Sequence, residues 1–281
     1  MSHSTSPSRI DIRNLTITLG KGDNRFNAIE HLTLSVKPGE FICLLGPSGC
    51  GKSTILGALA GHLSTSNGDI KVDNTMVSGP SPDRGLVFQQ HTLLPWRKVE
   101  DNVGFSLKMR GVGPKERKEA VGRLLKLVGL SGFEQHWPSQ LSGGMQQRVE
   151  LARVLISHPR LLLMDEPFAA LDALCRVEMQ SLLLSIWSKI PTTIVFVTHD
   201  IDEAIFLADR ILVMSPRPGK IIENIAVTLP RPRSNELVTS PAFMQIKRHC
   251  LALLNHQHGE TLPRLSPISQ PHYSADTLRF I

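Results

Sequence analysis

The segment GPSGCGKST at residues 46–54 has the composition of a loop that binds phosphate groups. It fits the pattern G-x-x-x-x-G-K-[ST] and stands between a strand-like apolar run and a helix-like run. Its glycines let backbone N–H groups point at anionic oxygens, and the helix adds the positive end of its dipole. We expect Lys52 to reach the terminal phosphates and Ser53 to bind Mg²⁺. The candidate phosphate-binding residues are Gly46, Pro47, Ser48, Gly49, Cys50, Gly51, Lys52, Ser53 and Thr54.

Two acidic residues, Asp165 and Glu166, follow the apolar run LLLM. That run predicts a buried strand, which delivers both carboxylates to its carboxyl end. We expect Asp165 to bind Mg²⁺, directly or through water, and Glu166 to polarise an attacking water. An acidic pair is most often part of a solvated loop. Here the preceding strand and the phosphate-binding loop in the same chain favour a catalytic function.

Two further polar residues close strand-like runs. His199 follows IVFVT, and Gln89 follows LVF. Ligands of open α/β sheets bind at the carboxyl ends of the strands. We therefore expect His199 to contact the terminal phosphate, and the Gln89 amide to touch Mg²⁺ and sense the phosphate. Taken alone, Gln89 is explained equally well as an ordinary surface residue.

A second glycine turn, LSGG at residues 141–144, precedes a predicted helix from Met145 to Leu155. Ser142, Gly143 and Gly144 place donors at the helix N-terminus, which is another anion-binding site. One nucleotide bound to a single subunit would not need both of these anion-binding sites. An isologous dimer solves this, because each nucleotide then lies between the phosphate-binding loop of one chain and the LSGG turn of the other.

The elements around these residues indicate an α/β core. Strand-like runs occur within residues 9–98, in PRLLLMDEP (159–167) and TTIVFVTHD (192–200), and over residues 211–229. A long helix is predicted over 173–189, and DIDEAIFLADR (200–210) predicts another, with Asp200 as N-cap and Glu203 in the position of a capping box. Residues 99–158 are helical in pattern and read as an inserted subdomain. We expect residues 1–8 to be a disordered leader and residues 9–232 to form the main domain. Residues 233–281 are expected to hold a C-terminal helix, near 236–254, and a flexible tail.

Composition excludes several classes of protein. The apolar runs are too short to span a membrane and there is no signal peptide, so we expect a cytosolic chain. The four cysteines have no metal-binding or disulfide spacing. A net charge of +6 allows anionic partners, although acidic and basic residues are mixed along most of the chain.

Taken together, the motifs resemble the nucleotide-binding domain of an ABC transporter. GPSGCGKST is similar to Walker A, LLLMDE to Walker B and LSGGM to the signature. The resemblance extends over about residues 9–230 and assigns Gln89 to the Q-loop, Asp172 to the D-loop and His199 to the switch histidine. It implies a P-loop NTPase (ABC ATPase) core with an antiparallel β subdomain and an inserted α-helical subdomain. It also implies ATP and Mg²⁺ as ligands, with Asp172 in the nucleotide site.

Three longer stretches, HTLLPWRKVEDNV, EPFAALDALCRVEMQSLLLSIW and THDIDEAIFLADR, resemble the importer branch for nitrate, taurine and other aliphatic sulfonates. This implies an ATP-dependent homodimer, peripheral on the cytoplasmic face of the bacterial inner membrane. Its partners would be two transmembrane permease subunits and, indirectly, a periplasmic or lipid-anchored solute-binding protein, with no nucleic acid. Residues 93–96, LLPW, would face the permease, although Trp96 is also explained as a core aromatic.

The chain departs from the family pattern at two places. The signature ends in Met145 where Gln is usual, so we expect altered affinity but retained function. The aromatic residue that often stacks on adenine is replaced by Leu19, with Phe26 nearby as a substitute.

Two alternatives compete with the importer. The first is a soluble ABC-type ATPase that acts on nucleic acid or ribosomes, which the positive charge allows and the LLPW segment disfavours. The second is another P-loop enzyme, such as a kinase or GTPase. LSGGM would have no purpose in such an enzyme, and the chain has no NKxD guanine-binding motif. The solute is not encoded in this chain, because permease and binding protein select it.

Overall fold

The computed structural model describes residues 6–257. Within that part of the chain, strands and helices follow one another in an α/β order. The strands are β1 (Ile10–Leu19), β2 (Phe26–Val36), β3 (Phe41–Leu45), β4 (Asn67–Val72), β5 (Thr75–Met76), β6 (Arg84–Val87), β7 (Leu161–Asp165), β8 (Thr193–Thr198), β9 (Arg210–Met214) and β10 (Ile221–Ala226). The α-helices are α1 (Lys52–Ala60), α2 (Val99–Val103), α3 (Phe105–Met109), α4 (Pro114–Leu127), α5 (Gly143–Leu155), α6 (Ala173–Lys189), α7 (Ile201–Leu207) and α8 (Pro241–Gln257).

The strands form two sheets. A four-stranded antiparallel sheet has the order β2-β1-β4-β5, and a six-stranded sheet has the order β10-β9-β3-β8-β7-β6. Strands β9, β3, β8, β7 and β6 are parallel, and β10 is an antiparallel edge strand. All five parallel strands therefore present their carboxyl ends at one edge, where the polar residues predicted from the sequence follow β3, β6, β7 and β8.

Strand β3 divides the hydrophobic core in two. Because neighbouring side chains of a strand point to opposite faces, Phe41, Cys43 and Leu45 enter one cluster while Ile42 and Leu44 enter the other. The first cluster joins the sheet to α4, α5, α6, α7 and α8, and the second joins it to α1 and the antiparallel sheet. Both faces of this strand are buried, which explains its continuous apolar sequence.

Most predicted elements are confirmed, and the differences are local. Helix α6 has the predicted bounds, whereas the helical run near residues 100–111 is divided at Gly104 into α2 and α3. Strand β6 ends at Val87, so Gln89 lies two residues beyond the strand. Asp200 caps α7 by accepting a hydrogen bond from Glu203 N at 3.1 Å. The Glu203 carboxylate completes no capping box and instead accepts a hydrogen bond from Gln180.

The two ends of the described chain pack against the core. Ser8, which the sequence places in a disordered leader, is buried, and its hydroxyl donates to Asp73 Oδ2 at 2.8 Å. The leader prediction is therefore wrong for Ser8, because this residue is held between β4 and the start of β7. Helix α8 buries Phe243 and Cys250 against the first cluster. The predicted flexible tail lies largely outside the described residues.

Candidate functional site

The loop between β3 and α1 wraps around the N-terminus of α1. Gly49 and Gly51 have φ values of 77° and 101°, which L-residues with side chains rarely adopt. A methyl group at Gly51 would lie 2.5 Å from Ile29 Cδ1 and 2.9 Å from Ala28 O. Glycine is therefore required at this position by both conformation and space. The result is a loop whose backbone can approach a ligand closely, as the sequence predicts.

Lys52 is the first residue of α1 and is only 4% exposed. Its ammonium donates to Gly46 O at 2.8 Å and to Pro47 O at 3.0 Å, and it lies 3.8 Å from Glu166 Oε1. These contacts hold the positive charge inside the loop. The buried ammonium and the dipole of α1 make this end of the site suited to an anion.

Ser53 and Asp165 are brought together although they are 112 residues apart in the chain. Ser53 Oγ donates to Asp165 Oδ1 at 2.9 Å. Burial raises the pKa of the Asp165 carboxyl, and the hydrogen bond from Ser53 opposes that rise. A nearby divalent cation would also favour the ionised form. Ser53 Oγ and Asp165 Oδ1 thus place two oxygen ligands, of the kind that hard cations prefer, next to the phosphate-binding loop.

The Ser53 and Asp165 oxygens fit Mg²⁺ that is bound together with substrate phosphates better than a metal ion that is coordinated by protein side chains alone. Among residues 6–257, no group of three or more His, Cys, Asp or Glu side chains is arranged to hold a metal ion. Mg²⁺ usually keeps several waters and binds through one or two protein oxygens together with substrate phosphates. Ser53 and Asp165 provide such oxygens, so the site fits a magnesium–nucleotide complex.

Glu166 follows β7 with a φ of 43°, a left-handed conformation that is unusual for glutamate. Its N–H donates to Val197 O at 3.0 Å, which fixes this backbone to the neighbouring strand β8. Its Oε2 lies 2.9 Å from Nδ1 of His199, which follows β8. Strained backbone that is held this firmly is typical of functional sites. The structure thus pairs the predicted catalytic acid with the predicted switch histidine.

One cleft of about 290 Å³ is lined by eight of the predicted residues. Asp165 and His199 adjoin it through their contacts with Ser53 and Glu166. Gly46, Pro47 and Cys50 form the inner side of the loop, where Cys50 is buried. The predicted residues that line the cleft are Ser48, Gly49, Gly51, Lys52, Ser53, Thr54, Gln89 and Glu166.

The LSGG residues are not among those that line this cleft. Ser142 caps α5 by accepting a hydrogen bond from Met145 N at 3.3 Å, and Gly143 and Gly144 form its first turn. Asp172 caps α6 by accepting from Leu174 N and Cys175 N. A methyl group at Gly144 would lie 3.7 Å from Cys175 Sγ, so the starts of α5 and α6 adjoin each other. One chain therefore presents its cleft and its LSGG turn as separate surfaces.

Sequence reasoning missed Arg217, which lines the cleft together with Leu19 and Phe26. Arg217 lies in the turn after β9, and its guanidinium carbon is 4.3 Å from the centre of the Phe26 ring. Its Nη2 donates to Gly49 O at 3.4 Å. The signal that could have found it is the position of β9 beside β3, because the residues after parallel neighbours meet at one edge.

Sequence reasoning also missed the contacts that hold the segment after Gln89. Glu150 of α5 accepts hydrogen bonds from Thr92 N and from Thr92 Oγ1, and Arg153 donates to Thr92 O at 2.6 Å. Asn102 accepts from Leu94 N at 2.8 Å and donates to several carbonyls of the same segment. Residues 92–98 are therefore held against the helical subdomain by hydrogen bonds with Glu150, Arg153 and Asn102.

A larger cleft, of about 460 Å³, lies between β2 and the β9–β10 hairpin. Its cations are already paired, since Lys220 contacts Glu30 at 2.8 Å and Arg210 contacts Glu40 at 3.3 Å. It also lacks the phosphate-binding loop. The smaller cleft is therefore the better candidate for chemistry.

Comparison with known proteins agrees with this geometry. The sequence profile described as ABC transporter matches residues 29–169. An uncharacterized ABC transporter ATP-binding protein of Methanocaldococcus jannaschii is 45% identical over 249 residues, which cover 89% of this chain and 92% of that protein. The taurine import ATP-binding protein TauB of Yersinia pestis is 50% identical over 200 residues, covering 71% of this chain and 78% of TauB.

Solved structures are similar over most of the chain. The ATP-binding cassette MJ0796, in a dimeric post-hydrolysis state bound to ADP and Pi, has a TM-score of 0.69 and 32% identity, covering 79% of this chain and 100% of that one. The protein cbiO1 of Clostridium perfringens, part of the ABC transporter complex cbiONQ, has a TM-score of 0.72 and 25% identity, covering 89% and 98%. The chain belongs to the ABC transporter family, as an ATP-binding subunit with ATPase activity.

Proposed function

We propose that this chain hydrolyses ATP to power an importer of small anions, namely taurine or another aliphatic sulfonate, or nitrate. The observation that carries the proposal is the convergence of Lys52, Ser53, Asp165, Glu166 and His199 at one edge of the parallel sheet. The identity to TauB proteins of Yersinia pestis and Rhizobium johnstonii, at 50% and 44%, supports taurine among these solutes.

The loop residues 46–54 bind the phosphates of ATP through backbone N–H groups and the Lys52 ammonium. Ser53 and Asp165, with Gln89 facing the same cleft, would hold Mg²⁺, and the cation would neutralise charge on the phosphate oxygens. This assignment follows from the 2.9 Å contact between Ser53 and Asp165 and from the hard oxygen ligands that Mg²⁺ prefers.

Glu166 orients the attacking water and accepts its proton. The water oxygen bonds to the γ-phosphorus, the bond from that phosphorus to the bridging oxygen breaks, and ADP and inorganic phosphate result. His199 holds the Glu166 carboxylate at 2.9 Å, and we assign to it a contact with the γ-phosphate. Hydrolysis separates the products and so biases the site toward an open state.

Each ATP is shared by two chains in this proposal. The cleft and the LSGG turn are separate surfaces of one chain, so Ser142, Gly143, Gly144 and the nearby Asp172 complete the site of the partner chain. The dimeric form of MJ0796 with ADP and Pi supports this arrangement. ATP binding then joins two chains at two composite sites.

The permease is expected at the segment after Gln89. Trp96 is 69% exposed there and Leu93 packs at the edge of the first cluster, so the alternative of a core aromatic at Trp96 is not supported. Within residues 6–257, no helix is long and apolar enough to cross a membrane. We place the chain on the cytoplasmic face of the inner membrane, beneath two permease subunits that receive solute from a binding protein.

Affinity purification tests this function. Tagged E166Q protein is recovered with MgATP from membranes of its own host in mild detergent, and the bound proteins are identified by mass spectrometry. K52A protein, which should not bind ATP, serves as the matched control. Recovery of a multi-span permease with E166Q supports the importer, whereas recovery of ribosomal proteins or nucleic acid supports the soluble ATPase instead.

The solute is tested separately in cells. A strain that lacks this gene should lose uptake of labelled taurine, an alkanesulfonate or nitrate, and the wild-type gene but not E166Q should restore it. Retained uptake of all three anions would contradict the proposed solute class.

A further inference from the structure

The positive charge of the chain is concentrated in one segment of the helical subdomain. Residues 96–127 carry nine Lys or Arg side chains and four Asp or Glu side chains, which leaves +5 of the chain's net charge of +6 in this segment. Six of these cations are exposed and form no ion pair within residues 6–257, namely Lys108, Arg110, Lys115, Lys118, Arg123 and Lys126. Such a concentration of unpaired positive charge favours an anionic partner.

Helix α3 brings apolar side chains to the same region. None of its five residues is fully buried, although they include Phe105, Leu107 and Met109. Met109 is 63% exposed and stands between the exposed cations Lys108 and Arg110. Phe105 lies one helical turn before Met109, so the two side chains are on one side of the helix. Helix α3 thus presents apolar and cationic groups together to solvent.

Arg97 connects α3 to the segment that we assign to the permease. Its guanidinium carbon lies 5.1 Å from the centre of the Phe105 ring, within the range of a cation–π contact. Arg97 also directly follows Trp96, which is 69% exposed. We call the cationic surface the set Arg97, Phe105, Lys108, Met109 and Arg110. Because it is continuous with the permease segment, it lies on the side of the chain that faces the membrane when the permease is bound.

We propose that the cationic surface binds the anionic lipid headgroups of the membrane in which the permease sits. Cytoplasmic loops of membrane proteins carry an excess of Lys and Arg, so the permease is a poor electrostatic match for these cations. Anionic lipids instead give the cytoplasmic leaflet a negative potential that attracts clustered Lys and Arg side chains. An exposed apolar side chain between cations, as at Met109, suits the boundary between headgroups and acyl chains. The proposal rests on the importer function and adds a direct lipid contact to it.

Vesicle binding tests the proposal with the purified full-length chain and without a permease. Cosedimentation is measured with vesicles of phosphatidylcholine alone and with vesicles of equal parts phosphatidylglycerol and phosphatidylcholine. We expect binding to the anionic vesicles only, and loss of that binding as salt screens the charges. K108E/R110E should weaken it at least about tenfold, since each cation near an anionic surface contributes separately. M109Q should weaken it about threefold, because only an apolar contact is lost.

The matched control is K37E/K189E, which changes the net charge by the same amount. Lys37 and Lys189 are exposed and lie shortly before β3 and β8, outside the helical subdomain. This variant should bind anionic vesicles within about twofold of wild type, because screening confines the attraction to charges near the lipid. MgATP affinity equal to that of wild type shows that each variant is folded.

Three results would overturn the proposal. The first is equal binding of wild-type protein to neutral and anionic vesicles. The second is an equal loss in K108E/R110E and K37E/K189E, which would indicate attraction by net charge alone. The third is tighter binding of wild-type protein to duplex DNA or RNA than to anionic vesicles, which would assign the cationic surface to nucleic acid. Failure of the importer function is a separate result, in which E166Q protein recovers no permease from membranes.

Discussion

Nδ1 of His199 lies 2.9 Å from Oε2 of Glu166, although 33 residues separate them in the chain. The pairing follows from the sheet, because β7 and β8 are parallel neighbours with Asp165 opposite Val197. The residues that follow the two strands must therefore meet at the same edge. The contact orients the carboxylate that we assign to the attacking water.

Replacement of Glu166 by Gln should abolish turnover and preserve ATP binding. The amide keeps the size of the side chain but cannot accept a proton, so the rate of phosphate release should fall at least about a hundredfold. With MgATP, the variant should accumulate as a dimer in light scattering after size exclusion. E119Q, on the exposed face of α4, is the matched control and should behave as wild type. Near-normal turnover in E166Q would contradict the catalytic assignment.

Asp165 should control the requirement for Mg²⁺. D165N removes a charged oxygen ligand, so the Mg²⁺ concentration for half-maximal ATPase activity should rise at least about tenfold. S53A should shift it in the same direction, because Ser53 is the second member of the pair. An unchanged Mg²⁺ dependence in both variants would show that the cation is held elsewhere.

Glu203 should make stability depend on pH near neutrality. Burial raises the pKa of its carboxyl to about 7, although hydrogen bonds from Thr198 and Gln180 act in the opposite direction. Nearby Asp200 also raises this pKa, and Arg176 lowers it. Because the folded-state pKa exceeds the unfolded value, the contribution to stability is complete below about pH 4.5 and is lost as pH rises toward 7.

The variant E203Q tests this pH dependence, since glutamine stays neutral. Ionisation of Glu203 should cost about 3 kcal/mol of unfolding free energy by pH 8. Urea denaturation at pH 5 and pH 8 should therefore show that E203Q gains stability relative to wild type at the higher pH. A difference between the two proteins that does not change with pH would contradict a neutral buried Glu203.

Glu150 should restrain the segment after Gln89. E150A removes the acceptor for Thr92 N and Thr92 Oγ1, so amide hydrogen exchange in peptides from residues 89–98 should accelerate about tenfold. E119A is the control for loss of an exposed helical carboxylate. Equal exchange in E150A and wild type would mean that Arg153 and Asn102 hold the segment without Glu150.

The local features of the fold could be predicted from the sequence. The bounds of α6, the N-cap at Asp200 and the strand-ending positions of Asp165 and His199 depend on residues within a few positions of each other. The phosphate-binding loop is likewise a continuous segment. Such features are encoded by short-range patterns, and the structure reproduces them.

Long-range neighbours could not be predicted in the same way. The distance from Gly49 to Arg217 spans 168 residues, and no local pattern marks the two as partners. The contact between Thr92 and Glu150 likewise depends on how α5 packs against the segment after β6. Ser8 reads as part of a polar leader, and only the fold supplies Asp73 and Arg160 as its hydrogen-bond partners.

The shared ATP site is tested most directly by measuring the ATPase activity of a mixture of two inactive variants. K52A damages the phosphate-binding loop, and G144D places a negative charge in the LSGG turn, so each protein alone should lack ATPase activity. A mixed dimer contains one site with both defects and one intact site. An equimolar mixture should therefore recover about a quarter of wild-type activity, since half the dimers are mixed and each has one working site. If the mixture stays as inactive as its components, each chain completes its own site and the account is contradicted.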